Sequence, residues 1–170
     1  MKKNALIVLA GLAGVFAVMH NRAVAAGAVL SLSAVQNLAA AVGRYGFNVS
    51  PQMIVRIAWI ESSFNPSASR YEDALGDAST GLMQTLLSTA RWLARDMGYS
   101  AYGVPALSDL MRPEVSVYFG AAYLDYLSRY RNQSRSEEWM IRAYNGGPGF
   151  TTNSTNNYWS KYMAAKSEVG

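Results

Sequence analysis

Glu61 is the residue whose position in this sequence most directly suggests chemistry. It follows an apolar run in the segment WIESSFNP (Trp59–Pro66) and is the first acidic residue of the chain. In a helix, Ile54, Ile57, Ala58 and Glu61 fall at i, i+3, i+4 and i+7, which places the carboxyl on the apolar face. Burial and the negative end of the helix dipole both raise a carboxyl pKa. The spacing therefore indicates a candidate general acid.

The same spacing is compatible with a structural glutamate. Its side chain would then bend out to solvent or pair with a buried arginine such as Arg56 or Arg142. Spacing alone does not choose between this role and the catalytic one.

Composition limits the chemistry that the chain can perform. The 170 residues contain no Cys, and the only His is His20, near the N-terminus. Zinc sites built on Cys or His, Ser-His-Asp triads and Cys-His dyads are therefore excluded for the main domain. We expect no metal and no cofactor, and chemistry carried by carboxylates, Tyr, Ser, Lys or Arg.

The charge balance favours an anionic partner. Fifteen Lys and Arg against 11 Asp and Glu give a net charge of +4 and a pI near 9.4. Cell-wall polymers, membrane surfaces and nucleic acids all fit this balance. No basic run is longer than Lys2-Lys3, so we predict no nucleic-acid partner.

Residues 1–32 have the pattern of a targeting segment. Lys2 and Lys3 precede the uncharged stretch NALIVLAGLAGVFAVM, and Ala23-Val24-Ala25 resembles a cleavage site. Because small and apolar residues continue to Leu32, an uncleaved membrane anchor is the alternative to a cleaved signal peptide. Either reading places the protein in the cell envelope, exported or anchored on the periplasmic side.

The elements that must position Glu61 are mainly helical. Helical spacing with breaks at Gly and Pro predicts helices near residues 33–45, 51–63, 80–97, 113–131, 137–144 and 157–165. Ser50 is predicted to cap the second helix, with Pro51 in its first turn. The segment RYEDALGDA (residues 70–78) is a candidate for a small β-hairpin. We predict a mainly α domain over residues 33–170, after an N-terminal hydrophobic helix.

Four motifs occur, once each and in this order, between residues 35 and 162. They are ESSFNP from Glu61 with Ala68, STGLMQ from Ser79 followed by Thr89-Ala90, Pro113-Glu114 followed by Gly120 and Tyr123-Leu124, and AYNGGPG from Ala143. This order resembles the lytic transglycosylase family of the goose-type lysozyme-like superfamily. The resemblance implies a lysozyme-like helical fold and a peptidoglycan glycan strand as the substrate.

The resemblance also implies roles for particular residues. Glu61 would be the catalytic acid, and the substrate would contact Ser62, Ser69, Met83, Gln84, Tyr144 and Asn145. Where the family often has a serine nine residues after the glutamate, this chain has Arg70, next to Ser69. Tyr144 and Asn145 lie on a glycine-rich turn, where they would either face a ligand or pack as ordinary turn residues. The 11 Tyr and 4 Trp are candidates for sugar-stacking platforms as well as for the core.

No second catalytic carboxylate is evident. Glu72, Asp73 and Asp77 follow Glu61 in a polar loop that fits a solvated hairpin. The family dispenses with a second carboxylate, because the 2-acetamido group of N-acetylmuramic acid attacks C1 and one glutamate acts as acid and then as base. The expected product carries a 1,6-anhydro ring.

Two other functions stay open at this stage. A hydrolytic muramidase would use a loop carboxylate to activate water. A non-catalytic glycan-binding component would belong to a secretion apparatus or a virion. Membrane association through residues 1–32 is a further expected interaction.

Overall fold

The structure is a computed structural model, and it describes residues 28–170. Most of the leader predicted for residues 1–32 lies outside this range, so the N-terminal hydrophobic helix and its cleavage or retention stay predictions. None of the helices within residues 28–170 has the length and apolar character needed to span a bilayer.

The described residues form a mainly helical domain with a small sheet, which confirms the predicted fold class. In chain order the elements are α1 (Leu32–Ala41), α2 (Pro51–Ser62), β1 (Ser69–Glu72), β2 (Asp77–Thr80), β3 (Thr85–Leu86), α3 (Leu87–Asp96), α4 (Pro113–Ser128), α5 (Glu137–Gly146) and α6 (Thr152–Glu168). Short 3-10 segments lie at Val42–Tyr45, Leu107–Met111 and Tyr130–Asn132.

Helix α2 begins and ends where the sequence predicts. The Ser50 hydroxyl accepts a hydrogen bond from the Met53 amide at 3.2 Å, and Pro51 occupies the first turn. Ser63 ends the helix in a left-handed conformation, with φ of 49°. Ile54 and Ile57 are fully buried. The last turn of α2, which carries Glu61, is therefore held against the core.

Helix α4 is the centre of the core. Twelve of its 16 residues are buried, and they pack on two clusters, one formed mainly with α1, α2, α5 and α6 and the other with α3. A methyl group added at Gly120 would lie 2.7 Å from the Met83 side chain. The missing side chain at Gly120 is what allows Met83 to pack against α4.

The predicted hairpin is present as β1 and β2, which pair antiparallel with Ser69 opposite Thr80. The short strand β3 extends the sheet in the order β1-β2-β3. The exposed β1 and the turn after it form one rim of a cleft whose other side is helical.

The helix predicted over residues 80–97 is wrong in its first part. Thr80 lies in β2, residues 81–84 form a turn, and α3 begins only at Leu87. Gly81 has a φ of +82°, and its amide donates to the Ala68 carbonyl at 2.8 Å. A β-carbon there would lie 1.9 Å from the Leu110 carbonyl oxygen. Contacts with distant segments therefore determine this turn, and helical spacing does not report them.

Two other helix ends also differ from the predictions. Helix α4 ends at Ser128, before the predicted residue 131. Helix α6 begins at Thr152, earlier than residue 157, because the Thr151 hydroxyl accepts from the Ser154 amide at 3.3 Å and caps it.

Candidate active site

The motif residues meet at a cleft of about 410 Å³ between the hairpin and the helices. Its lining comes from the end of α2, from the sheet and the turn before β3, from the first turn of α3, from α4 and from the end of α5. The lining residues are Glu61, Arg70, Glu72, Leu75, Ser79, Gln84, Thr85, Leu86, Thr89, Tyr123, Tyr144, Asn145, Gly146 and Gly147.

Glu61 is mostly buried at the helical side of this cleft. The Tyr158 hydroxyl, on α6, donates a hydrogen bond of 2.6 Å to Glu61 Oε1. Burial raises the pKa of the Glu61 carboxyl, while the Tyr158 hydrogen bond and the charges of Arg70 and Lys161 oppose the rise. The net effect keeps the proton on Glu61 to a higher pH than on an exposed glutamate.

Neither arginine considered as a partner for Glu61 pairs with it. Arg56 lies 3.7 Å from the Glu137 carboxylate, and Arg142 forms a 2.8 Å ion pair with Glu138. Within residues 28–170, no Lys or Arg forms an ion pair with Glu61. The carboxyl is therefore buried without a compensating cation in direct contact.

Tyr158 is the site residue that sequence reasoning missed. The segment predicted as the last helix includes it, but no motif singles it out. Burial and the neighbouring Glu61 charge raise the pKa of its phenol well above the usual value. Tyr158 therefore stays a neutral hydrogen-bond donor. The single sequence signal is its place on a helix in a tyrosine-rich segment, which does not identify its partner 97 residues away.

Tyr144 lies in the cleft, with its hydroxyl tied to the wall. The hydroxyl donates to the Met83 carbonyl at 2.8 Å, and the Thr85 hydroxyl lies 3.4 Å from it. Its ring packs against Tyr123 with centroids 5.5 Å apart. Burial, followed by the charge of Glu61, raises the pKa of Tyr144. Asn145 follows as an exposed residue of the lining. Tyr144 thus lines the cleft and also packs against its neighbours, and its contact with a substrate stays a prediction.

Gln84 lines the cleft, but its amide group is bonded within the protein. Its Nε2 donates to the carbonyl oxygens of Ala68 at 2.9 Å and Gly81 at 2.8 Å, and its Oε1 accepts from Ser79 at 3.2 Å. Both amide hydrogens are therefore used, so Gln84 can offer a ligand only its carbonyl oxygen.

The other predicted contact residues are not part of the cleft lining. Ser62 donates to the Leu82 carbonyl at 2.9 Å, and the Ser69 hydroxyl lies 3.1 Å from that of Thr80. Met83 is fully buried, and its amide donates to the buried Ser116 hydroxyl at 3.1 Å. The structure thus brings Glu61, Gln84, Tyr144 and Asn145 to the cleft. Ser62, Ser69 and Met83 are positioned to hold its walls.

The loop carboxylates have structural partners. Glu72 lines the cleft, where Arg70 Nη2 lies 2.6 Å and the Ser79 hydroxyl 3.1 Å from Oε1. Asp77 accepts from the amides of Ala78 at 2.7 Å and Ser88 at 3.0 Å. Burial opposes ionisation of Asp77, but its hydrogen bonds from Ser88 and Ala78 prevail and lower its pKa. Only Glu72 of the loop carboxylates lines the cleft.

No metal site accompanies these groups. Within the part of the chain that the structure describes, no three His, Cys, Asp or Glu side chains form a group that could hold a metal ion.

Comparison with known proteins gives a consistent picture. The family model for the transglycosylase SLT domain matches residues 39–165. The membrane-bound lytic murein transglycosylase C of Edwardsiella ictaluri is 39% identical over 113 residues, which cover 62% of this chain and 29% of that protein. The protein of the same name from Photorhabdus laumondii is 40% identical over 112 residues, with coverages of 62% and 29%. The chain spans less than a third of the length of these curated relatives.

Solved structures share the fold. The 70 kDa soluble lytic transglycosylase of Escherichia coli superposes with a TM-score of 0.52 at 24% identity, over 73% of this chain and 18% of that one. An inactive mutant of lytic transglycosylase Slt from Pseudomonas aeruginosa gives a TM-score of 0.52 at 23% identity, over 79% and 21%. At this identity the likeness describes the fold alone.

Proposed function

Because the chain belongs to the transglycosylase SLT domain family, we propose that it is a lytic transglycosylase that cleaves the β-1,4 bond between N-acetylmuramic acid and N-acetylglucosamine in peptidoglycan. The observation that carries this proposal is Glu61, a mostly buried carboxyl of raised pKa at the cleft. Its relatives are named as murein transglycosylases. Residues 33–170 form the proposed catalytic domain.

In the first step Glu61 acts as a general acid. Its proton passes to the glycosidic oxygen as the C1–O bond breaks, and the 2-acetamido oxygen of the muramic acid attacks C1. The raised pKa of Glu61 supports this role, because it keeps the carboxyl protonated closer to neutral pH. The Tyr158 hydroxyl then stabilises the carboxylate that the transfer leaves behind.

In the second step the same carboxylate acts as a base. Glu61 removes the proton of the C6 hydroxyl, the C6 oxygen attacks C1, and the acetamido oxygen leaves. The products are an N-acetylglucosamine chain end and a 1,6-anhydromuramic acid end. Glu61 regains its proton, and no water is consumed.

The state of the other cleft carboxylate favours this route over hydrolysis. A hydrolytic muramidase needs a second carboxylate that activates water or attacks C1. Glu72 is the second carboxylate of the cleft lining, and Arg70 and Ser79 occupy its Oε1. A muramidase is therefore the second candidate function, with Glu72 as its required base.

We place this activity in the cell envelope, where peptidoglycan lies. The relatives named membrane-bound support this location. We further propose that residues 1–32 act as a cleaved signal peptide or a membrane anchor, and that partners belong to a secretion apparatus or a virion.

Product analysis tests the proposed function. Purified peptidoglycan is digested with the wild type, with Glu61→Gln and with Glu168→Gln as a matched control. Glu168 accepts from Trp59 Nε1 and lies outside the cleft lining. We expect 1,6-anhydro ends from the wild type and the control, and no products from Glu61→Gln. Reducing ends from the wild type would establish the muramidase instead, and intact peptidoglycan would leave a non-catalytic component.

A further inference from the structure

Arg70 is the only basic side chain that lines the cleft within residues 28–170. The other charged side chains of the lining are those of Glu61 and Glu72. The charge of Arg70 opposes the rise in the Glu61 pKa, so the guanidinium acts on the same part of the cleft as the proposed acid. A cation in this place is a candidate for recognising a charged group of the substrate.

The hairpin places the Arg70 side chain on the cleft face of β1. Arg70 and Glu72 are two residues apart, so they share one face of the strand, whereas Tyr71 between them lies on the other. In the register of the hairpin, Arg70 is opposite Ser79 of β2. Glu72 and Ser79 also line the cleft, and Tyr71 does not. The strand alternation and the register therefore direct Arg70 towards a bound ligand.

Glu72 holds one edge of the guanidinium. Its Oε1 accepts a hydrogen bond from Arg70 Nε at 2.8 Å and lies 2.6 Å from Nη2. The hydroxyl of the buried Ser79 lies 3.1 Å from the same oxygen, so the carboxylate is itself anchored. Among residues 28–170, Glu72 is the only side chain bonded to this guanidinium. Nη1 and one hydrogen of Nη2 are therefore left for a ligand, in a side chain that is 75% exposed.

The ion pair by itself does not explain why an arginine lies here. Pairs between exposed side chains stabilise a fold weakly, because water screens the charges and long side chains lose entropy when they are ordered. A pair with the same spacing and the same atoms occurs at Arg112, whose Nε and Nη2 lie 3.0 and 2.7 Å from Glu114 Oε1. Arg112 is not part of the cleft lining. Its position in the cleft is therefore what distinguishes Arg70.

Carboxylates are the anionic groups that peptidoglycan presents next to the reacting sugar. Muramic acid carries a lactyl group, whose carboxylate is free when no peptide is attached. When a stem peptide is attached, the lactyl group is in an amide bond and the peptide supplies carboxylates of its own. A guanidinium edge matches a carboxylate with two parallel charge-assisted hydrogen bonds. The hydroxyl and acetamido groups of the sugars do not offer this match.

We propose that Arg70 is a specificity-determining residue, which binds a carboxylate of the muramic acid substituent while the sugar occupies the cleft. Glu72 acts through Arg70 as its positioning residue. The inference rests on the proposed function, because it takes peptidoglycan as the substrate. Its consequence is a preference for strands with ionised substituents over strands whose substituents are neutral.

The test compares kcat/KM on strands with free carboxylates and on the same strands after amidation. A carbodiimide with ammonium chloride converts carboxylates into carboxamides of nearly equal size. We expect the wild type to prefer the untreated strands, and Arg70→Gln to lower the ratio of kcat/KM for untreated over amidated strands by about 2- to 5-fold. The ratio cancels any effect of Arg70 on Glu61 or on stability, because such effects act on both substrates.

Two further variants show whether the fork of Arg70 or any surface arginine is responsible. Arg70→Lys keeps the charge without the planar fork and should retain part of the preference. Arg112→Gln breaks the matching ion pair outside the cleft and should leave the preference at the wild-type value. A loss of preference in Arg112→Gln as large as that in Arg70→Gln would overturn the inference.

Two kinds of strand identify the carboxylate. Strands from which an amidase has removed the stem peptides keep only the lactyl carboxylate. A lowered ratio on these strands assigns the contact to the lactyl group, and a lowered ratio confined to peptide-bearing strands assigns it to the stem peptide. An Arg70→Gln ratio equal to that of the wild type on both kinds would overturn the inference and leave the proposed function intact.

A binding measurement tests Arg70 independently of cleavage. If the wild type cleaves neither kind of strand, the proposed function fails, and affinities in the Glu61→Gln background then decide the role of Arg70. Adding Arg70→Gln should weaken the binding of untreated strands by about the same 2- to 5-fold and leave the binding of amidated strands unchanged. Equal changes for the two strands, or no change for either, would overturn the inference.

Discussion

The two walls of the cleft use the same functional group in opposite ways. On the helical wall, Glu61 is buried, is bonded by one neutral phenol and has a raised pKa. On the hairpin wall, Glu72 is bonded by Arg70. Asp77, on the same hairpin but outside the cleft lining, is held by backbone amides and has a lowered pKa. The same domain thus contains one carboxyl that keeps its proton to a higher pH and two carboxylates whose oxygens are bonded within the hairpin and to the start of α3.

The difference shows that partners, more than residue type, determine what a carboxylate can do here. The neutral phenol stabilises the charged form of Glu61 only in part, so burial prevails and raises its pKa. Asp77 accepts from two backbone amides, and these hydrogen bonds stabilise its ionised form, which cannot donate a proton. The contrast between the walls therefore predicts that substitutions on the helical wall reduce activity more than substitutions of carboxylates on the hairpin wall.

The largest expected difference is between Glu61→Gln and Glu72→Gln. Glu61→Gln keeps the acceptor for Tyr158 but cannot deliver a proton, so we expect its rate of peptidoglycan cleavage to fall by roughly 100- to 10,000-fold. Glu72→Gln should have a much smaller effect, because that carboxylate is engaged with Arg70 and Ser79. Initial rates of release of soluble fragments measure both. Comparable losses in the two variants would mean that the walls share the chemistry.

Tyr158→Phe should change the pH dependence of the helical wall. The Tyr158 hydroxyl stabilises ionised Glu61, so its removal raises the pKa of Glu61 further. Glu61 acts as an acid in its protonated form, and the alkaline limb of the kcat/KM profile should therefore move to higher pH.

The control for this prediction is Tyr162→Phe on the same helix. Tyr162 donates to Glu137 at 2.5 Å, outside the cleft lining, so its loss should lower stability without moving the limb. A limb that moves to lower pH in Tyr158→Phe, or that moves equally in both variants, would contradict the assigned role of Tyr158.

Tyr144→Phe tests the point where the two walls meet. The Tyr144 hydroxyl joins α5 to the Met83 carbonyl in the turn before β3. Its removal should lower the free energy of unfolding by about 0.5 to 1.5 kcal/mol and should also reduce kcat, because the residue lines the cleft near Glu61. Urea denaturation and steady-state rates separate the two effects. A loss of stability with an unchanged kcat would show that Tyr144 only packs the turn.

The smallest effect on activity is expected for the structural carboxylate Asp77. Asp77→Ala removes the acceptor for the Ser88 amide at the start of α3 and should cost about 0.5 to 2 kcal/mol in the free energy of unfolding. Its kcat/KM should stay close to the wild-type value. Asp73→Ala, at an exposed position of the same loop, should change neither quantity. A large loss of turnover in Asp77→Ala would place chemistry on the hairpin wall.

The sequence predicted the helical wall well because local patterns determine it. The i, i+3, i+4, i+7 spacing placed Glu61 on the buried face of α2, and Ser50 and Pro51 marked its start. A small hairpin was also predicted, for residues 70–78. Each of these features depends on neighbours within a few positions, which is the range that a sequence pattern reports.

The features that the sequence did not reveal depend on distant contacts. The partner of Glu61 is Tyr158, 97 residues away. A turn interrupts the helix predicted over residues 80–97. It depends on the close approach of the Gly81 backbone to the Leu110 carbonyl oxygen, which a side chain at position 81 would prevent. Gln84 lines the cleft as expected, but the sequence could not show that carbonyl groups from two other positions already use both of its amide hydrogens. Such pairings arise only when the chain is folded.

A direct measurement of the Glu61 pKa tests the central claim, that burial without a cation in direct contact prepares one carboxyl as the acid. NMR titration of the glutamate side-chain carboxyl carbons, with Glu61→Gln to assign the resonance, gives this value in the folded protein. We predict a midpoint above the value of about 4.3 for an unperturbed glutamate, and a further rise in Tyr158→Phe. A Glu61 midpoint at or below that reference would contradict the account.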